Sequence, residues 1–402
     1  MDEIRFGELY EIPSSNGLSR PSAVRGEGYK MVNMGELFAN NIILDMEMER
    51  VKMSEKELQK FLLKDGDLLF ARQSLVASGA GKCSIVKALS EETTFESHLI
   101  RVRLNNRVAN PWYYYYLFQL PYNPVKTIVN QCAQAGIRGS ELVNIKVPLL
   151  DLQKQTKIAS ILSAYDDLIE NNKKRIKILE QMAENLYKEW FVRFRFPGYE
   201  TAEFENGIPK GWEILRMENF CYVTDGTHDT PKETNLGVPL VTGRCIRNGF
   251  VDYDAAYLIS EDDHNKIKKR SGLKSGDILF SNIGTVGNTC LVDYEREFSV
   301  KNVIIFKPPI RAISTYLYYW LISPSMQAIF STQTNGASQQ FVGLTFMRRI
   351  KILVPNKYIM TSFEKNVAPI IDAMMMLHKE NQNLIKQRDL LLPRLMSGKL
   401  EV

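Results

Sequence analysis

Histidine and cysteine are scarce in this chain of 402 residues, with four of the first and five of the second. Cys83, Cys132, Cys221, Cys245 and Cys290 stand singly, with no CxxC pair and no companion histidine at ligand spacing. Neither zinc nor a disulfide is therefore expected, and an odd number suits a reducing compartment. No run reaches the ~18 apolar residues that a membrane-crossing helix needs. The opening MDEIRFGELY lacks the basic-then-apolar order of a secretion signal, so the expected location is the cytoplasm. Catalytic signatures are missing as well: there is no HExxH, no GxSxG, no GxGxxG after a strand, and no carboxylate pair at acid and base spacing. The Asn/Asp-Pro-Pro-aromatic signature of DNA amino-methyltransferases is not supplied by Asn123-Pro124-Val125 or Pro308-Pro309-Ile310. A P-loop is excluded, because Cys83 follows Gly81-Lys82 and the position that must be glycine is Val76. These absences predict a chain that is not itself an enzyme.

What the chain does have is a duplication. LKDGDLLF at 63–70 returns as LKSGDILF at 273–280, and a long-period repeat means duplicated architecture. At nearly the same offset, EIRFGEL (3–9) meets EILRMENF (213–220), NGLSRP (16–21) meets DGTHDTP (225–231), and GYKMVN meets GVPLVT at Gly28 and Gly237. Further on, GKCSIV (81–86) meets GNTCLV (287–292), NPWYYYYLF (110–118) meets STYLYYWL (314–321), and NIKVPLLD (144–151) meets RIKILVPN (349–356). The hydrophobic content of 45% is enough for two cores. A net charge of +5 favours a polyanionic partner only weakly.

Each copy ends in a long helical pattern. Apolar residues at three- and four-residue steps run Ile158, Ile161, Tyr165, Leu168, Asn172, Ile176, Leu179, Ala183, Leu186, Trp190, a coiled-coil seam with one polar interruption. Moved by 209 residues the seam reads Val367, Ile370, Met374, Leu377, Asn381, Ile385, Arg388, Leu392, Leu395, so Asn172 and Asn381 are equivalent. A lone seam Asn fixes register and partner. Helices of roughly 60 Å outrun a single domain, which predicts that the two pack on each other, antiparallel, through Ile161, Leu168, Asn172, Ile176 and Leu179 on one and Ile370, Leu377, Asn381 and Ile385 on the other. The competing reading packs each helix on its own domain. Pro197 and Gly198 are expected to end the first helix, Pro393 and Gly398 the second.

The loops are more ambiguous. ARQSLVASGAGK (71–82) and SNIGTVGNT (281–289) are glycine-rich strand exits; such backbone can approach a phosphate while amides and Arg read base edges, or it can be a long turn. Trp112 and Tyr113 to Tyr116 resemble a base-stacking platform, but Pro111 ahead of them reads as a helix start, which makes them core. His228 finds no triad or metal partner at useful spacing and reads as a polar loop residue. HNKIKKR (264–270) is a solvated face or a phosphate contact.

These pieces together resemble a known family. NIKVPLLDLQKQTKIASILSAYDDLI (144–169) is similar to the lead-in of the conserved helix of type I restriction–modification specificity subunits. IPKGWE (208–213) resembles the start of their second target recognition domain, and DGTHDTP, GVPLV and GDILF follow in that domain's order. The likeness covers the whole chain twice over; it departs at PNKYIMTSFEKNVAPIIDAM (355–374), which lacks a counterpart of Gln155. The resemblance implies an α+β protein in which two duplicated α/β target recognition domains are separated by two long antiparallel coiled-coil helices with pseudo-twofold symmetry. The expected division is 1–150 for the first recognition domain, 151–197 for the first helix, 198–356 for the second domain and 357–402 for the second helix. It also implies a DNA-binding subunit that reads a bipartite target across a spacer fixed by the helices. Its expected partners are double-stranded DNA, two methyltransferase subunits that would carry S-adenosylmethionine, and restriction subunits; no cofactor is expected on this chain. By loop position and chemistry, the DNA contacts expected are Ser19, Arg20, Arg72, Gln73, Ser74 and Lys82 in the first domain. In the second they are His228, Thr230, Arg244, Asn248, Ser281, Asn282 and Thr285. The rival readings are a duplicated protein-binding scaffold and a degenerate DNA adenine methyltransferase.

Overall fold

The computed structural model describes residues 2–21, 25–74, 79–131, 135–293, 296–334 and 341–402. Cys132 and residues 75–78 of the first glycine-rich loop lie outside the described residues. The chain divides into two compact units, Met1–Asn172 with Lys379–Val402, and Lys173–His378.

The repeated octapeptide builds the same device in each unit. Gly66 and Gly276 take φ of +82° and +87°, the left-handed turn that glycine tolerates. The aspartate that follows accepts a backbone N–H three residues back, Lys64 to Asp67 at 2.8 Å and Lys274 to Asp277 at 2.9 Å. Both carboxylates are buried and both take a cation from the neighbouring strand. Arg103 reaches Asp67 through Nε at 2.7 Å and Nη2 at 2.6 Å, while Lys307 reaches Asp277. LKxGD thus encodes a turn and half of a buried ion pair, which apolar patterning alone would not require.

Sheet order repeats too. The first unit orders its main sheet Tyr10–Asn16, Leu99–Leu104, Leu68–Ala71, Cys83–Val86, Ile42–Ile43, and the second Tyr222–Asp225, Val303–Lys307, Ile278–Ser281, Thr289–Leu291. Beside each lies a three-stranded sheet with one parallel pair, Arg25–Val32 with Thr93–Phe95 and Val238–Val241 with Ser299–Val300. The aromatic run forms the helix Pro111–Gln119, whose Asn110 side chain accepts the N–H groups of Trp112 and Tyr113. Tyr113 to Tyr116 are buried, and Phe118 meets Phe6 and Phe70 edge-on at 5.0 and 5.2 Å. Tyr114 donates to the carbonyl of Pro148 at 3.1 Å, and Tyr316, on the counterpart helix Arg311–Ile322, donates likewise to Leu353. These aromatics are core and offer no stacking platform.

The first long helix spans Leu152–Tyr187, with a π turn at Lys188–Val192, and the second spans Lys357–Met396. In the first unit Asp166 meets Arg388 and Asn172 meets Glu380, a descending order that makes the pair antiparallel. In the second unit Tyr187, Trp190 and Phe191 meet Phe363 at 6.2, 5.8 and 4.9 Å. The seam departs from the sequence expectation ahead of Asn172. Ile161 and Leu168 are 36% and 49% exposed, whereas the buried line runs through Ile158, Leu162, Asp166 and Ile169. Two apolar rows flank each other there, and burial selects the one carrying Asp166, which pairs with Arg388 across the seam. Ile176, Leu179 and Ile370 are half-buried, Leu377 and Asn381 buried, and Ile385 37% exposed. Pro393 lies inside the second helix, which runs on to Met396; Gly398 beyond it takes φ +71°.

Candidate nucleic-acid interface

In each unit one loop is pinned by a glycine that touches backbone. A Cβ on Gly17 would stand 2.0 Å from the Phe95 carbonyl oxygen, and one on Gly226 would stand 2.2 Å from that of Val300. The next residue donates to the same carbonyl, Leu18 to Phe95 at 2.9 Å and Thr227 to Val300 at 3.0 Å.

Beyond Gly17, Ser19 is exposed. Arg20 is held by Glu57, and its own carbonyl accepts Arg25 Nε and Nη2 at 3.2 and 3.0 Å. The Glu57 carboxyl is pulled down to about 2 by the Ser54 N–H, with Arg20 and the Ser54 hydroxyl adding to it. Arg20 therefore anchors this loop. Arg72, Gln73 and Ser74 follow the strand Leu68–Ala71 and are half-buried; Gln73–Ser74 pairs with Ala135–Gly136. Arg72 makes no ion pair among the described residues. Lys82 donates to the Phe38 carbonyl at 2.7 Å and lies 5.9 Å from that ring's centroid, and burial lowers its pKa, so its charge is drawn inward.

In the second unit His228 is exposed, yet both its nitrogens are engaged, Nε2 with Asp225 at 2.9 Å and Nδ1 with Asn302 at 2.9 Å. Arg270 Nη2 donates to the other oxygen of Asp225 at 2.6 Å, so the last residue of the basic stretch 264–270 pairs with the carboxylate that ends the strand Tyr222–Asp225. Thr230 is exposed and accepts Lys301. Arg244 is exposed on the turn Gly243–Cys245, and Asn248, at φ +50°, turns the hairpin between Ile246–Arg247 and Phe250–Val251. Asn288 Nδ2 donates to Ile246 at 2.9 Å, tying that hairpin to the loop that carries exposed Thr285.

Ser281 and Asn282 do not sit at the surface as expected of DNA contacts. They are 0% and 7% exposed; Ser281 closes the strand Ile278–Ser281 against Val303, and its Oγ lies 2.2 Å from where a Cβ of Gly243 would be. Asn282 Nδ2 donates to the Val342 carbonyl at 3.2 Å. Strand pairing holds Ser281 inside, and paired hydrogen bonds with Val342 hold Asn282. Composition could not show this, because Arg72 holds the position equivalent to Asn282: each carbonyl accepts a backbone N–H, from Ile137 and from Val342. Lys301 and His98 are polar residues at these loops that sequence reasoning missed, and Arg270 had been read only as part of the basic stretch 264–270. Among the described residues, no cluster of three or more His, Cys, Asp or Glu could hold a metal ion, and no helix is long and apolar enough to cross a membrane.

Comparison with known proteins bears on the family and the fold. Residues 1–181 and 209–387 match the family profile of the type I restriction modification DNA specificity domain. The type I restriction enzyme MjaIX specificity subunit of Methanocaldococcus jannaschii is 28% identical over 72% of this chain and 69% of its own length. The MjaVIII specificity subunit of the same organism is 23% identical over 88% of this chain and 82% of its own. The crystal structure of a type I restriction–modification S subunit from M. genitalium covers 98% of this chain and 95% of its own, at 14% identity and a TM-score of 0.59, a likeness of fold. With two matched stretches that fill most of its length, the chain belongs to the type I restriction–modification DNA specificity family.

Proposed function

We propose that this chain is the sequence-reading subunit of a type I restriction–modification complex, each unit reading one half of a two-part duplex target. The observation that carries this is the repeat itself: within a DNA specificity family, two units share one sheet order and one glycine-pinned loop, yet arm them differently. Arg72 and Gln73 in the first unit, and Arg244, Thr230 and Thr285 in the second, are the side chains suited to base edges; Lys301 is suited to phosphate. The long helices cross the boundary between the units at Asn172 and His378, and in the proposal their length sets the spacer.

Catalysis is assigned to partners. Two methyltransferase subunits would dock on the helices, carry S-adenosylmethionine and flip the target base, and restriction subunits would join them. Docking is supported by apolar side chains that the helices turn to water: Leu168 at 49% and Leu390 at 66% in the first unit, Ile178 at 58% and Met376 at 71% in the second. The test is to co-express this chain with a cognate methyltransferase subunit and map modified adenines by direct sequencing. A two-part motif with a fixed gap is the expected outcome. Co-purification without any new methylation would refute DNA reading, and failure to co-purify would refute the docking.

A further inference from the structure

We infer that His98 is a base-contacting, specificity-determining residue of the first half-site, oriented by Glu96, and that it takes an exocyclic amino group of a base in the major groove. The inference rests on the function proposed above and names a reader within it.

His98 stands between the two candidate loops of the first unit and is bonded to both neighbourhoods. Its carbonyl accepts the Arg72 N–H at 2.8 Å, and the residue before it, Ser97, donates to Leu18 at 2.9 Å, one residue short of Ser19. The side chain is 52% exposed, and the hydrogen bond it makes is a long one, Nδ1 to Glu96 Oε2 at 3.4 Å. Glu96 cannot readily swing away: its side chain is 11% exposed, and its other oxygen accepts the N–H of Met34 at 2.5 Å, where the helix Met34–Ala39 begins. A carboxylate held at one oxygen and facing an imidazole at the other keeps the proton on Nδ1. With Nδ1 turned to Glu96, Nε2 is the nitrogen left to accept from a base, and the amino groups that adenine and cytosine present in the major groove are the matching donors.

The second unit makes the contrast. His228 lies beside the equivalent bridge, Thr227 with Lys301, where the first unit pairs Leu18 with Glu96, but both its nitrogens are spent on Asp225 and Asn302. His228 fastens its loop, whereas His98 keeps a nitrogen for a ligand. The repeat conceals this. Between bridge and next strand the first unit has Ser97 and His98, and the second has only Asn302, so His98 is an added residue with no counterpart to align.

The experiment maps methylated adenines for the complex carrying wild-type chain, His98→Ala or His98→Gln, with the second half-site as internal control for folding. For His98→Ala the expected result is roughly tenfold or greater loss of discrimination at a base pair of the first half-site, the scale of one base-edge contact, with the second half-site unchanged. His98→Gln, which keeps an acceptor, should restore part of it. An unchanged motif, or weaker methylation with every first-half preference retained, overturns the inference, since a phosphate contact or a purely structural role would behave so. A wild-type chain giving no two-part motif would overturn the proposed function and His98's role together; an unchanged variant beside an intact wild-type motif overturns the inference alone.

Discussion

Arg388 is a charged residue in an apolar seam, and the price of removing it can be worked out from its surroundings. Asp166 lies opposite, 5% exposed, with one oxygen taking Arg388 Nη1 at 2.5 Å and the other the Tyr116 hydroxyl at 2.5 Å. One network therefore ties both long helices to the aromatic helix of the first unit. Breaking a buried ion pair costs about 3–5 kcal/mol, because one charge stays buried without its partner. The Arg388 side chain is still 21% exposed, so Arg388→Ala belongs at the low end, about 3 kcal/mol, or roughly a hundredfold in the open-to-closed ratio. The repeat supplies its own control. Moving by 209 residues places Met375 at the position of Asp166 and Leu179 at that of Arg388, so the second unit fills the same seam with apolar side chains. Asp166→Met, Arg388→Leu and Tyr116→Phe together should come within about 1 kcal/mol of wild type, since apolar replacement of a whole buried pair is often neutral. The assay is hydrogen exchange by mass spectrometry on peptides from 152–172 and 379–396, because two units need not unfold together. Burial works against the Arg388 charge, but Asp166 and hydrogen bonds to Asp166 and Asp389 outweigh it and hold the pKa above the ordinary guanidinium value. A raised pKa gives stability that is present below the unfolded guanidinium's pKa and lost only above it, so the effect should not change between pH 6 and 9. Exchange in Arg388→Ala within about threefold of wild type, or a triple variant as labile as the single one, would refute the reasoning.

Two further outcomes follow from single residues. Gly17→Ala and Gly226→Ala each push a Cβ into a backbone carbonyl, at 2.0 and 2.2 Å, and should cost about 1–3 kcal/mol, as overpacking does. Each should blur its own half-site in a methylation map, and equal damage at both halves would count against separate readers. His378 stacks on Phe250 at 3.9 Å, and burial pushes its pKa below the ordinary 6.5. A depressed histidine pKa means the unfolded chain protonates first, so the second unit is fully stable above pH 6.5 and loses stability as pH falls below it. The ring is partly solvated, so the loss should stay below the ~1.4 kcal/mol per pH unit that one full proton allows. His378→Phe should flatten the urea midpoint of that unit between pH 5 and 7, and an identical pH slope in variant and wild type would contradict the assignment.

The duplication, the paired helices and the aromatic core were legible because each rests on local pattern: a turn signal, a three-four spacing, a proline at a helix start. What was not legible depended on neighbours distant in sequence. Ile161 and Leu168 looked like seam residues because either of two adjacent apolar rows could face the partner, and only the Asp166–Arg388 pair decides which one does. Gln155 gave the sequence its resemblance, but its work is structural: it is fully buried, accepts the Asn110 N–H at 2.7 Å, and donates to the carbonyls of Val108 and Leu150 at 3.2 and 2.8 Å. Ser281 and Asn282 looked like readers because polar residues in a glycine-rich loop usually are exposed, yet Ser281 still pairs with Val303 in the strand and Asn282 is bonded to Val342, 60 residues away in sequence.

The same contrast separates scaffold from reader. Gly17 and Gly226, Asp67 and Asp277, Arg103 and Lys307, Tyr114 and Tyr316 each do one job twice, because each is surrounded by backbone or buried partners that admit few substitutes. The positions between them differ from copy to copy: Arg72 stands where Asn282 does, Glu96 where Lys301 does, and His98 where the second copy has nothing. Surface loops accept substitution and insertion without cost to the core. The packing that keeps the two units alike in fold therefore leaves them free to differ in what they bind, and a target with two unlike halves is the expected product of such a chain.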